Sequence, residues 1–223
     1  MRFLLILSGV LIAAMLAAGA RAWLALPADA QIVVHWNADG AANGFAPKTL
    51  GLFGLPAIAA AMALLFAALP RLDPRGRNLI ASRGLYGAGW LGTLGVVAAA
   101  QGATVATALG LPINIHTIMI TTISIFLLVI GNFMGKSQPN TFAGIRTRWT
   151  LSSDYAWQRA NRLGGRLIML AAVATLAAMP FLPTVYEVMF FLAAILAAAL
   201  IPGGLSYFYW RDDPERDKTG NAI

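Results

Sequence analysis

The chain has 223 residues, of which 59% are hydrophobic and 11% charged, and its mean hydropathy is +0.71. That composition excludes an ordinary soluble domain and leaves a lipid bilayer as the solvent for most side chains. The net charge of +7 does not indicate nucleic acid, because the Lys and Arg residues lie in the gaps between apolar runs, where lipid headgroups and the membrane potential are their natural counterparts. Cysteine is absent, which excludes disulfides, thiol nucleophiles and thiolate metal sites.

A hydrocarbon core about 30 Å thick is crossed by roughly 20 apolar residues in helix. Six runs of that kind occur: Phe3 to Leu26, Leu50 to Leu69, Leu85 to Leu109, Ile113 to Met134, Leu167 to Leu182 and Val185 to Trp210, the last containing Pro202 and hence an expected kink. Backbone groups cannot stay unpaired in lipid, so such runs form helices, and the alternating pattern of a membrane barrel is missing. The fold class expected is therefore an all-α integral membrane protein of about six transmembrane helices. The first run also resembles a signal peptide, with Arg2 before it and Ala18-Gly19-Ala20 within it. Its apolar character resumes through Trp23, Leu24, Ala25 and Leu26, which favours a retained helix with Trp23 as an interfacial anchor.

The basic residues orient these helices. With both termini in the cytoplasm, fourteen Lys and Arg lie inside and two, Arg21 and Lys48, outside, the distribution the positive-inside rule demands. Trp149, Tyr155, Trp157 and the Tyr207 to Trp210 cluster then fall near the inner interface, and Trp23 and Tyr186 near the outer one. A reporter fused after Ile223 is expected to be active in the cytoplasm; activity on the outside would reverse the orientation.

Two connections exceed a simple turn. The outer one, residues 27–49, contains the β-prone Gln31 to Asn37 and then the turn residues Asp39, Gly40, Asn43 and Gly44, which together suggest a short strand or hairpin on the membrane surface. His35, Trp36, Asn37 and Asp39 are its candidate ligand-binding residues. The inner one, residues 135–166, opens with breakers from Gly135 to Gly144 and an extended Ile145 to Leu151. Ser152 is placed to cap a following helix with Asp154 in its first turn. That helix carries Arg159, Arg162 and Arg166 on one face and Ala156, Ala160, Leu163 and Leu167 on another, the pattern of an interfacial amphipathic helix leading into the fifth span. Its arginines serve as topology signal and lipid-phosphate contacts, or as a docking surface for a cytoplasmic partner.

Gly131-Asn132-Phe133-Met134-Gly135-Lys136, Pro139-Asn140, Gly144-Ile145-Arg146-Thr147, Trp149-Thr150-Leu151-Ser152-Ser153, Trp157, Arg162 and Gly164-Gly165 together resemble the signature of SdpI-type immunity proteins. Leu26-Pro27, His35-Trp36-Asn37, Gly40, Gly44, Lys48 and the Leu69 to Arg75 turn resemble the domain of unknown function that accompanies it. Arg148 stands where the family pattern has proline, and Asn161 where it has histidine. The resemblance implies a bacterial cytoplasmic-membrane protein that protects its host against a secreted membrane-active peptide, some members also recruiting a small repressor to the membrane. It divides the chain into an N-terminal half, 1–110, and an SdpI-like half, 111–223. Asn140, Arg146, Arg148, Trp149, Trp157, Arg159 and Arg162 are the candidate partner-binding residues of the inner face.

Catalytic chemistry has little to work with. His35 and His116, with Asp29, Asp39 and Glu187, allow a metal site on the outer face, but their spacing is not diagnostic, and a loop-capping role is the simpler one. No cofactor and no enzymatic activity are expected. Gln101 and Asn132 read as helix–helix hydrogen bonds. Gly87, Gly89 and Gly92 satisfy a dinucleotide fingerprint but follow no strand, and with Gly95 they read as a close-packing face. The alternative to a binding protein is a small-molecule or lipid transporter among the Gly- and Ala-rich helices.

Overall fold

The computed structural model describes residues 1–37, 40–72 and 76–216. Helix α1 (Arg2–Ala25) leads into strands β1 (Gln31–Trp36) and β2 (Ala42–Pro47). Then come α2 (Lys48–Leu72), the short α3 (Gly76–Ala81), α4 (Arg83–Ala108), α5 (Ile115–Met134), the short α6 (Arg148–Ser152), α7 (Asp154–Ala178) with a 3-10 turn at Met179–Phe181, and α8 (Thr184–Arg211). Six of the helices are long and apolar enough to cross a membrane: α1, α2, α4, α5, α7 with its 3-10 turn, and α8. Each reaches at least about 30 Å at 1.5 Å per residue. Large apolar side chains stay exposed along them, among them Leu24, Leu64, Leu170 and Leu192, as lipid-facing surfaces require. The protein is an all-α multi-pass membrane protein.

Two compact units divide the chain. Residues 1–67, 90–126 and 176–189 form one, which contains the hairpin; residues 68–89, 127–175 and 190–223 form the other, which contains the long loop and α6. In the hairpin unit, Ala22, Ile32, Leu52 and Val105 make a buried cluster. Polar side chains cross between helices within it: Gln101 Nε2 donates to the Leu52 carbonyl at 2.8 Å and Trp90 Nε1 to Ser8 Oγ at 2.8 Å. Gln101 thus makes the interhelical bond expected of it. Asn132 does not; it is exposed, with no side-chain hydrogen bond among the described residues. Of the α4 glycines, Gly92 lies against the ring of Phe126, while Gly89 and Gly95 have nothing within 4 Å of where a Cβ would stand, so those two are not close-packing positions.

In the loop unit the helices approach at glycine. A Cβ on Gly131 would lie 2.6 Å from the Gly165 carbonyl oxygen, and one on Gly165 would lie 2.5 Å from that of Gly131. Helices α5 and α7 therefore meet backbone to backbone, the small-residue contact typical of membrane helix pairs. Helix α8 runs unbroken through the buried Pro202. Two expectations need correcting. Residues 148–152 are helical rather than extended, because Thr147 caps α6 by accepting from the Thr150 amide at 3.2 Å while Thr150 Oγ1 accepts from the Thr147 amide at 2.9 Å. The cap of α7 is Ser153 rather than Ser152: its Oγ accepts from the Ala156 amide at 3.0 Å.

Candidate functional site: an exposed hairpin and a buried polar loop

The hairpin is antiparallel, pairing Gln31 with Pro47, Ile32 with Ala46 and Val33 with Phe45. Ile32 and Ala46 share the buried face and anchor the sheet, the Ile32 side chain lying directly against Gly51 of α2. Past Val33 the register shifts on both sides of His35, a local bulge that re-aims side chains. His35 is exposed there, with Nδ1 2.6 Å from Asn43 Oδ1. Its partner across the ladder must be glycine, since a Cβ on Gly44 would fall 2.7 Å from the His35 Cβ.

Asn37 organises the turn. Its amide donates to the Ala41 carbonyl, its Oδ1 accepts from the Ala41 amide, and its carbonyl accepts from the Gly40 amide, all between 2.9 and 3.0 Å. The same carbonyl lies 3.1 Å from His116 Nε2. A carbonyl can only accept, so this nitrogen of His116 carries the proton. Gly40 has φ +83 and its α-carbon faces the His116 ring, so the turn needs glycine both for its backbone and for the approach. Lys48 is buried at the base of the hairpin; its Nζ donates to the Leu26 carbonyl at 2.6 Å and lies 4.6 Å from the centre of the Trp23 ring. That ammonium satisfies a carbonyl at the end of α1, where the helix dipole favours a cation. Trp36 is half-buried, and Asp39 lies outside the described residues. Among the described residues no three His, Asp or Glu side chains converge.

The loop unit is built on polar groups with no access to solvent. Asn140 is fully buried; its Oδ1 accepts from the amides of Phe142 and Ala143, and its Nδ2 donates to the Gln138 carbonyl. Trp157, also fully buried, donates from Nε1 to the Ser137 carbonyl at 2.9 Å. Asn161 accepts from the Ile145 amide at 2.8 Å and donates to the Trp157 carbonyl at 3.0 Å. Gly144, at φ +112, presses on the Asn161 side chain. The Gln138 amide donates to Ser82 Oγ and Asn78 Nδ2 to the Pro139 carbonyl, which tie the loop to α3 and the residue after it. Toward α8, Thr147 Oγ1 and Ser206 Oγ share a hydrogen bond of 2.9 Å, and Ser153 Oγ donates to Asp213 Oδ2 at 2.5 Å.

Satisfied in this way, each buried amide and carbonyl avoids a penalty of about 1–3 kcal/mol. Asn140 and Trp157 therefore have no surface to offer: their side chains hold the loop, and Trp157 does not join the interfacial aromatics. Arg146, Arg148, Arg159 and Arg162 are exposed and Trp149 half-buried. Trp149 stacks edge-on against Tyr207 at 5.4 Å, with the Arg148 guanidinium 5.3 Å from its ring centre. Arg146 donates from Nη1 to the Thr141 carbonyl. Sequence reasoning does not assign Ser137, Asn161, Ser206 and Asp213 to this framework; only the Thr147-x-x-Thr150 spacing carries a signal for the cap.

Residues 136–207, which include most of that framework, match the SdpI/YfhL protein family. Residues 10–60, which include the hairpin, match the domain of unknown function DUF1648. The chain is similar to the immunity protein SdpI of Bacillus subtilis (strain 168), 29% identical over 111 residues, or 50% of this chain and 53% of that protein. The similarity thus spans about half the length of the curated relative. No solved structure matches. The chain carries an SdpI-family segment behind an N-terminal segment of the DUF1648 type, in a multi-pass bacterial membrane protein.

Proposed function

We propose that this protein confers immunity against a secreted, membrane-active peptide. The observation that carries the reading is the similarity, over half the chain, to a protein named for immunity. The two termini lie in the cytoplasm, and the hairpin meets the peptide from outside. His35, Trp36 and Asn37, with the exposed Val34 and Phe45, are suited to that contact, since they combine apolar area with hydrogen-bonding groups on a rigid support. On the inner side, Arg146, Arg148 and Trp149 are held in place by the buried network and offer a basic, aromatic-backed surface to a cytoplasmic repressor. Asp39 belongs with the outer residues by its position in the sequence.

Expression in a peptide-sensitive bacterium is expected to raise survival in the presence of the peptide. His35→Ala combined with Trp36→Ala should lower that protection at unchanged membrane abundance. Failure to protect against any cognate or related membrane-active peptide would overturn the reading.

A further inference from the structure

The basic stripe of α7 does not end in solvent. At about 100° per residue, Arg159, Arg162, Arg166, Leu170 and Val173 fall within an arc of about 80° on one side of the helix. All five are exposed, Leu170 by 64% and Val173 by 52%. The opposite side is closed, with Trp157, Ala160, Asn161, Gly164, Ala171 and Ala172 buried. In a membrane-spanning helix, an exposed leucine and valine can only face acyl chains. Arg159 and Arg166 therefore lie on the lipid side of α7, above its apolar continuation, and Arg162 lies at the edge of that side, its stem against Gly135 and its side chain still exposed.

Their chemistry is available to an anion. None of the three is paired with a carboxylate among the described residues. Arg159 lies 5.1 Å from the ring centre of Tyr155, which covers one face of the guanidinium and leaves its N–H edge free. Arg162 makes a long 3.4 Å bond to Gln158 Oε1 on the same helix. Along the axis the arginines span about 10 Å, and Val173 lies about 10 Å beyond Arg166. That is the order found in a phospholipid: phosphate first, then acyl chains.

We propose that this face of α7 is a binding site for an anionic phospholipid, its phosphate held by the Arg159, Arg162 and Arg166 guanidiniums and its chains lying along Leu170 and Val173. Guanidinium forks match phosphate oxygens in a way that a diffuse surface potential does not. An acidic protein would match the charges but leave the apolar half of the stripe without a role.

The test uses the full chain in detergent, titrated with phosphatidylglycerol and with phosphatidylcholine of the same acyl chains, and counts bound lipid by native mass spectrometry. Phosphatidylglycerol is expected to bind on the order of tenfold more strongly. The Arg159→Gln/Arg162→Gln/Arg166→Gln variant should reduce that preference to within about twofold, whereas Arg146→Gln/Arg148→Gln should keep it. Should the triple variant fail to fold, Arg166→Gln alone is read, with an expected fall in preference of about two- to fivefold. An undiminished preference in the folded triple variant, or in Arg166→Gln where that variant is read, overturns the proposal. So does polyglutamate binding that needs the three arginines while lipid preference does not.

Discussion

Gly165→Ala is expected to be among the most damaging single methyl additions this protein can suffer. The new carbon would lie 2.5 Å from the Gly131 carbonyl oxygen, and neither the α7 nor the α5 backbone can turn aside as a flexible side chain would. The helices must separate, giving up contacts along their whole interface. Overpacking of this kind costs about 3 kcal/mol, and in a chain of this size that lowers the melting temperature by roughly 5–10 °C. Gly131→Ala should match it, since its Cβ meets the Gly165 oxygen at 2.6 Å. The double variant should cost less than the sum, because both changes act on one contact. Gly164→Ala should be milder, its nearest neighbour being the mobile end of Met134. Gly203→Ala and Gly204→Ala have open space around the added carbon and should be neutral or stabilising by up to about 1 kcal/mol through helix propensity. Thermal unfolding of the detergent-solubilised protein ranks the set; a Gly165→Ala variant as stable as Gly204→Ala would refute the backbone contact.

The long apolar runs were legible because length alone identifies a helix that must cross about 30 Å of hydrocarbon. The hairpin was legible from alternation at Gln31 to Trp36 followed by turn residues, since both signals are local. The framework of the loop was not. Asn140, Trp157 and Asn161 are polar or amphipathic side chains with two common fates, surface and buried network, and only the carbonyls and amides brought to them by distant segments decide which. Trp157 illustrates the ambiguity: its spacing fits an interfacial belt, but the Ser137 carbonyl, 20 residues away, draws it into the interior. Helix α6 is invisible to periodicity because five residues are too few to show any, and its stability rests on the reciprocal Thr147 and Thr150 bonds.

Asn161 provides the sharpest test of that network. Its Oδ1 is the partner of the Ile145 amide, and its Nδ2 adds a second bond to the Trp157 carbonyl, which keeps its helix bond within α7, so Asn161→Ala leaves the Ile145 amide unmatched beside a cavity. A loss of about 2–4 kcal/mol is expected, and it should fall first on residues 137–147, which depend on this side chain for their position. Trypsin cleavage after the exposed Arg146 and Arg148 then accelerates by an order of magnitude or more, before the helices melt. Asn161→Asp keeps the acceptor but loses the donor and buries a charge, and should be at least as severe. Asn161→His is different. A neutral imidazole presents one acceptor nitrogen and one N–H donor, the same pair of functions the amide uses here, so the variant should stay within about 1.5 kcal/mol of the parent in stability and keep its resistance to trypsin. If an Asn161→Leu variant, which fills the space but makes neither hydrogen bond, resisted trypsin as well as the parent does, the side chain at this position would be filling space rather than holding the loop by its hydrogen bonds.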